Sequence, residues 1–433
     1  MNIILGGGIA GISTAYHLNI AGRKYKLFEK NASWGGLCDN FIINGFLFDY
    51  FVHLSFTTNE YVKDIFSQST KFYSHIPVAY NYYKATWLKH PVQNNLFPLP
   101  VQEKINIIED FVNRPIITPS NYYEWLLAQF GKYFTDNFPC KYTKKYWTED
   151  PFVMEFDWVN IINEGKDNIN RFSLPSLREV LRGAFEILED NFYYATEMRY
   201  PEQGGYKAFL NSMVEDIFIQ CKKQAICIDI KNQYVEFMDG TKEYYENLFS
   251  SIPLPDLLSI IKDCPIAVRD AADKLLATSG QLISIGFNRP DVPKYLWTYI
   301  YDEDIFPARI YSPSLKSSNN VPVGKSSLQF ETYFSKRNPS KIMGEQLQEH
   351  IISAGEKMKL FSKADIEVLD YREVKYANVV FNHERKNTLK IIHEYLDTWE
   401  VKYIGRFGKW DYLWSDQSLL SGKKAVDEFT YIY

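Results

Sequence analysis

A glycine-rich turn, Gly6-Gly7-Gly8-Ile9-Ala10-Gly11, directly follows the apolar run Asn2-Ile3-Ile4-Leu5. Spaced as G-x-G-x-x-G, these glycines suit the binding of a pyrophosphate. Gly6 allows the tight bend, Gly8 lets the anion approach the backbone, and Gly11 lets the following helix pack on the strand. That helix would direct its N-terminal N–H groups and positive dipole end at the phosphates. Glu29 closes a second strand, Tyr25-Lys26-Leu27-Phe28. It stands roughly twenty residues past the glycines, where an acid can hold ribose hydroxyls. Far downstream, Arg309 lies on a strand-like run and Arg406 just before a glycine turn. A guanidinium offers a planar fork of donors to a diphosphate, where a lysine would offer a point charge. The chain carries no convincing Ser/His/Asp arrangement and no paired-carboxylate signature.

These groups need platforms, and the hydrophobic pattern supplies them. A βαβ opening is followed by a mostly helical stretch with stripes at Ile107, Ile108, Phe111 and Val112, at Leu126, Leu127, Phe130 and Phe134, and at Leu181, Phe185 and Leu188. Leu248-Phe249-Ser250-Ser251-Ile252 reads as a buried strand, broken by Pro253 and Pro255. Residues 281–287, 295–301 and 327–334 alternate like antiparallel strands. An amphipathic helix at 344–361 and a strand at 365–381 follow, and from Val401 the order is strand, glycine turn, helix. The economical reading is a Rossmann-type α/β domain split by two insertions.

Composition narrows the function classes. A net charge of −5 argues against a general nucleic-acid surface, so anion binding must rest on local arginines. The 16% aromatic content suits a cleft that stacks planar groups, although most such rings belong to a core. Five cysteines, Cys38, Cys140, Cys221, Cys227 and Cys264, show neither metal spacing nor a disulfide framework, so no metal is expected and the setting reads as reducing and cytoplasmic. The glycine-rich start lacks the features of a signal peptide, and no stretch approaches the roughly eighteen apolar residues of a membrane span.

Further motifs give the pattern a family likeness. Gly35-Gly36-Leu37, then Asn44-Gly45-Phe46-Leu47-Phe48-Asp49 and His53, resemble the flavoprotein superfamily of amine oxidases, protoporphyrinogen oxidases and UDP-galactopyranose mutases. In that superfamily the second glycine pair loops under FAD and the segment around the histidine reaches the isoalloxazine. Four later segments resemble the mutases. They are His90-Pro91-Val92-Gln93-Asn94-Asn95, Tyr200-Pro201-Glu202-Gln203-Gly204-Gly205, Trp297-Thr298-Tyr299 ahead of Arg309, and Gly405-Arg406-Phe407-Gly408-Lys409-Trp410-Asp411-Tyr412. The helix that follows, with Gly422 and Ala425, resembles the family's FAD-binding C-terminal helix.

The resemblance implies a Rossmann-type FAD-binding domain interrupted by a helical domain and a mainly antiparallel sheet domain. FAD-binding parts would span 1–80, 196–262 and 376–433, the helical insert 96–195, and the substrate-binding sheet domain 263–375. It implies FAD contacts from Gly6, Gly8, Gly11, Glu29, Gly35, Gly36, Leu37, His53, Gly405, Asp416, Gln417 and Ser418. Tyr142, Trp147, Tyr299, Arg309, Asn378, Arg406, Tyr412 and Gln93 would bind substrate, with Arg309, Arg406 and His53 closest to the chemistry. The implied reaction interconverts pyranose and furanose forms of a nucleotide sugar for surface glycan synthesis. UDP-galactose or a close relative is the substrate, reduced flavin N5 is the nucleophile, and NAD(P)H or another reductant primes the cofactor. A homo-oligomer is compatible with this picture.

The chain also departs from the family around the substrate. His90 and Asn378 stand where tyrosines are usual, and Thr143 replaces an asparagine. The expected arginine after Trp158 is not evident, with Lys141, Lys144 and Arg171 as candidate substitutes. The flavin elements are kept, so the sugar and base stay open. Two other functions fit the N-terminal motifs: an amine-oxidase- or protoporphyrinogen-oxidase-like FAD oxidoreductase, and a non-catalytic nucleotide-binding protein. The oxidoreductase does not explain a two-arginine clamp joined to the 405–412 run, since an amine or porphyrin substrate needs no diphosphate clamp.

Overall fold

The computed structural model describes residues 1–161, 169–190, 192–193 and 195–431. Positions 162–168, 191 and 194 of the expected helical insert, and 432–433 of the expected C-terminal part, lie outside them. At the centre is a parallel five-stranded sheet in the order Ile219–Gln220, Tyr25–Phe28, Asn2–Leu5, Asn247–Ser250, Lys402–Tyr403. Asn2–Leu5 is buried along its length, as a strand covered on both faces must be. One cover is the helix Ile9–Ile20, which packs against the C-terminal helix Ser415–Tyr431. A Cβ on Gly422 would lie 2.4 Å from the Ala10 carbonyl oxygen, so the two backbones meet at a glycine. The chain's last helix is thereby locked beside its first glycine turn.

The second body is a seven-stranded sheet in the order Ile366–Val379, Ala277–Phe287, Ser326–Phe334, Arg309–Tyr311, Trp297–Ile300, Tyr80–Tyr83, Thr86–Lys89. Neighbours are antiparallel except Trp297–Ile300 with Tyr80–Tyr83. Two of its strands therefore come from residues 80–89, upstream of the helical segment and absent from the sequence reading of this sheet. Tyr80-Asn81-Tyr82-Tyr83 has almost no apolar/polar alternation to reveal it.

The helical segment comprises Val101–Val112, Tyr122–Phe130, Lys132–Asn137, Pro139–Tyr146 and Leu177–Phe185, which pack on one another, with Pro139–Tyr146 reaching the strand Ser326–Phe334. The stripe expected at Leu181, Phe185 and Leu188 is corrected here. Leu177–Phe185 buries Val180, Gly183 and Ala184 and leaves Phe185 77% exposed, while Leu188, past the helix end, is buried as expected. Gly183 explains the choice of face, because a Cβ there would lie 2.1 Å from the Asn94 carbonyl oxygen. Close backbone approach decides which side turns inward. Among the described residues no helix is long and apolar enough to cross a membrane.

Candidate functional site

The glycine turn is built as its spacing requires, but its glycines serve different ends. Gly11 closes the turn on itself: a Cβ there would sit 1.9 Å from the Gly6 carbonyl oxygen. Gly8 has an ordinary backbone, φ −79° and ψ 177°, and a Cβ on it would meet nothing nearer than Gly36 Cα at 3.8 Å. The protein itself does not demand a glycine at position 8; an approaching ligand would. Gly35 donates its N–H to the Gly7 carbonyl (2.8 Å), which brings the second glycine pair against the first. The buried Glu29 carboxylate accepts from Gly7 N–H (2.7 Å) and Asn31 N–H (2.8 Å), one on each oxygen. Each oxygen retains acceptor capacity for a hydroxyl.

These observations give separable expectations. Gly8→Ala should fold with an unfolding free energy within about 1 kcal/mol of wild type while weakening dinucleotide binding by about tenfold or more. Gly11→Ala should be destabilised outright. Thermal unfolding read beside cofactor content in the purified proteins distinguishes the two.

A single cavity of about 1170 Å³ runs from this turn into the cleft against the seven-stranded sheet. It brings together Gly6, Gly8, Glu29, Gly35, Gly36, Leu37, His53, Gly405, Asp416 and Ser418 on one side. On the other side it reaches Gln93, Tyr142, Trp147, Tyr299, Arg309, Asn378, Arg406 and Tyr412. Two of the residues expected at the site do not line it. Gly11 acts within the turn, and Gln417 accepts from Trp414 N–H at 2.9 Å through its side-chain oxygen. Asp416 does line the cavity, and burial pushes its carboxyl up from the usual range.

The two arginines are held in different ways. Arg309 sits directly across from Tyr299 on the strand pair Trp297–Ile300 and Arg309–Tyr311. Its guanidinium meets the fully buried Glu331, with Nε 2.7 Å from Oε2, and donates to the Tyr333 hydroxyl at 2.8 Å. Glu331 also accepts from Val52 N–H at 2.6 Å. Burial opposes the charge on Arg309, but the Glu331 carboxylate outweighs it, and its pKa is raised. Arg406 makes no ion pair among the described residues. Its Nε donates to the Leu413 carbonyl (2.7 Å) and Nη1 to that of Ala377 (3.5 Å), leaving the charge uncompensated by protein. Arg385 fixes the same loop by donating to the Trp410 carbonyl from Nε (3.0 Å) and Nη2 (2.6 Å).

Aromatic groups fill the space between. The Tyr146 hydroxyl donates to Asn378 Oδ1 (3.0 Å) and lies 3.1 Å from the Tyr412 hydroxyl. Burial pushes Tyr142 and Tyr146 well up, so both remain protonated. Trp147, 2% exposed, packs edge-on against Tyr146 and Tyr412. Gln93 donates its amide to the Ser173 carbonyl at 2.8 Å. Burial pulls His53 down to about 4, so its ring is neutral, tilted against Tyr206 at 5.1 Å. Its Nδ1 is buried with no partner among the described residues. That orphaned atom in the cavity wall, together with the open Gly8 cradle, fits a bound group that the protein alone does not supply.

Glu331, Tyr146 and Tyr333 were not found from sequence. The sequence signal for Glu331 is faint, an acid within the mixed strand Ser326–Phe334; only the structure shows it 0% exposed and in direct register with Arg309. A buried carboxylate needs a cation, and this one names its partner.

The parallel sheet and glycine turn are those of a Rossmann-type α/β fold. Residues 4–69 match the family model described as an NAD(P)-binding Rossmann-like domain. Over its whole length the chain has the fold of UDP-galactopyranose mutase. It superposes on the crystal structure of the reduced mutase with a TM-score of 0.91 at 25% identity, covering 100% of this chain and 96% of that one. The fold is also similar to that of a CLA-producing fatty acid isomerase from P. acnes, with a TM-score of 0.66, 11% identity, and 99% and 98% of the two chains covered. A putrescine oxidase variant redesigned in its cofactor binding is likewise similar, with a TM-score of 0.64, 13% identity, and 99% and 98% covered.

Proposed function

We propose that this protein is an FAD-dependent mutase that interconverts the pyranose and furanose forms of a nucleotide sugar, with a UDP-hexose of the galactose type as substrate. The observation that carries the reading is the continuity of one cavity from the glycine turn to both Arg309 and Arg406. A dinucleotide cofactor and a diphosphate clamp share one enclosed space. The whole-chain likeness to reduced UDP-galactopyranose mutase supports it. We assign residues 1–79, 196–262 and 380–433 to the cofactor-binding body, 96–195 to the helical insert, and 263–379 with the strands of residues 80–89 to the substrate-binding sheet domain.

When bound, reduced FAD would supply a nucleophile at flavin N5 in a reaction that consumes no net reductant. The chain's own residues bind and position. Arg406 gives a diphosphate its uncompensated charge, and Arg309 adds fixed donors whose orientation Glu331 and Tyr333 set. Tyr412 and Tyr146 offer phenolic donors beside them. Holding the departing diphosphate close to the sugar keeps the return step effectively unimolecular. Donors fixed in advance stabilise the charge that develops on it. Tyr142 and Trp147 provide the flat surfaces for a base. His53 and the glycine pairs would hold the cofactor, and NAD(P)H or another reductant would supply its electrons.

The test uses the FAD-loaded protein reduced with dithionite without oxygen, incubated separately with UDP-galactopyranose and UDP-galactofuranose beside an oxidised control. Interconversion in the reduced sample alone is the expected result. Bleaching of the flavin by substrate, with peroxide formed in air, would replace this reading with that of an FAD oxidoreductase.

A further inference from the structure

His90 lines the cavity beside Tyr299, their ring centroids 4.7 Å apart. Its Nδ1 lies 3.1 Å from Asn81 Oδ1. The orientation of that amide follows from its other contact: Asn81 Nδ2 donates to the Leu88 carbonyl at 3.2 Å, so the oxygen faces the imidazole. An amide oxygen only accepts, and the hydrogen between the two groups therefore belongs to Nδ1. Burial holds the ring neutral, its pKa pushed down to about 3. A neutral imidazole protonated on Nδ1 presents Nε2 as a bare acceptor. That nitrogen has no hydrogen-bond partner among the described residues and is not one of the sealed, unsatisfied buried atoms; its edge opens into the cavity. Asn81 is itself fully buried in the strand Tyr80–Tyr83, so the tautomer is fixed by a rigid element.

We propose that His90 determines sugar specificity, its Nε2 accepting a hydrogen bond from one hydroxyl of the substrate's hexose while Asn81 holds the ring in the accepting tautomer. The proposal rests on the nucleotide-sugar reading. Arg309, across the strand pair from Tyr299, places a diphosphate on the same wall and so brings the sugar within reach. A bare acceptor selects for a donor. An analogue lacking that hydroxyl leaves Nε2 unpaired, and a polar site discriminates strongly against such a ligand.

Two measurements test this. Nitrogen-15 NMR of ring-labelled histidines in the holoenzyme, with His90 assigned by comparison with His90→Phe, reads the tautomer without any substrate. One protonated nitrogen at Nδ1 and one bare Nε2 at neutral pH are expected, with the preference lost in Asn81→Ala. A doubly protonated ring, or a proton on Nε2, would overturn the proposal. The second measurement compares kcat/KM for UDP-galactopyranose and its monodeoxy analogues in wild type, His90→Phe and His90→Gln. Wild type should lose about tenfold on one analogue only. His90→Phe should show no such ratio, and His90→Gln, which keeps an acceptor, should recover part of it. Because each ratio is taken within one variant, a general loss of stability cancels. Uniform ratios across all analogues in wild type would sink the proposal while leaving the mutase reading intact. Failure of reduced wild type to convert any nucleotide sugar would remove both.

Discussion

Arg309→Ala should lose both stability and turnover, whereas Arg406→Ala should lose turnover at nearly unchanged stability. The difference follows from what each side chain leaves behind. Removing the Arg309 guanidinium strands the Glu331 carboxylate at 0% exposure. Val52 N–H still donates to it, and so does the Tyr333 hydroxyl at 2.5 Å, so the penalty falls at the lower end of that for a broken buried pair. About 3 kcal/mol is expected. Among the described residues the Arg406 side chain instead donates only to the Leu413 and Ala377 carbonyls, which can be rehydrated from the cavity, and lies over the Tyr412 ring. Its loss should change the unfolding free energy by less than about 1 kcal/mol. Each variant should lower kcat/KM by about 100-fold to 1000-fold, the scale for deleting one fixed donor to a developing charge. Arg309→Lys should recover stability better than activity, because an ammonium satisfies Glu331 without the guanidinium fork. Urea denaturation paired with kinetics of the reduced enzyme checks all three. Equal destabilisation by the two alanine variants would show that Arg406 is structural.

The contrast also marks how far the sequence could be read. The glycine turn is legible because its geometry is local: Gly11 meets Gly6, five residues away, and Glu29 returns to Gly7 across a single βαβ unit. The parallel sheet and the run of antiparallel strands follow from patterns of the same short range. The strand pair that carries Tyr299 and Arg309 was visible as a motif. Its anchor, Glu331, was not, because the pairing of Arg309–Tyr311 with Ser326–Phe334 is a tertiary fact. The same limit hid the strands of residues 80–89, which join the sheet across more than two hundred residues of chain. Periodicity failed on Leu177–Phe185 for another reason. Counting large apolar residues selected Phe185, while the close approach of Gly183 to Asn94 turned the small-residue face inward. Size and hydrophobicity predict burial only where backbones are free to stand apart.

Lys316→Met should destabilise the protein most of all, and through the cofactor side of the cleft. Lys316 and Asp49 are both 0% exposed, with Nζ 2.5 Å from Oδ2. Asp49 further accepts from the Tyr200 hydroxyl (2.7 Å) and from Tyr206 N–H (3.0 Å), and the ammonium lies over the Tyr200 and Tyr311 rings at 4.3 and 4.5 Å. Three distant segments thus converge on one ion pair, and Tyr206 carries the arrangement on to His53. Methionine keeps much of the lysine's length and apolar contact but leaves Asp49 charged and buried, a loss of about 3–5 kcal/mol. For a protein whose whole margin is about 5–15 kcal/mol, that is a large fraction. Asp49→Asn combined with Lys316→Met should recover most of it, because a neutral amide can still accept from Tyr206 N–H through its oxygen and donate to the Tyr200 hydroxyl oxygen once the stranded charge is gone. If the pair serves stability alone, the double variant should bind its cofactor and turn over like wild type. If it also sets His53 against the cofactor, stability should return without full turnover, and the residual deficit measures that coupling.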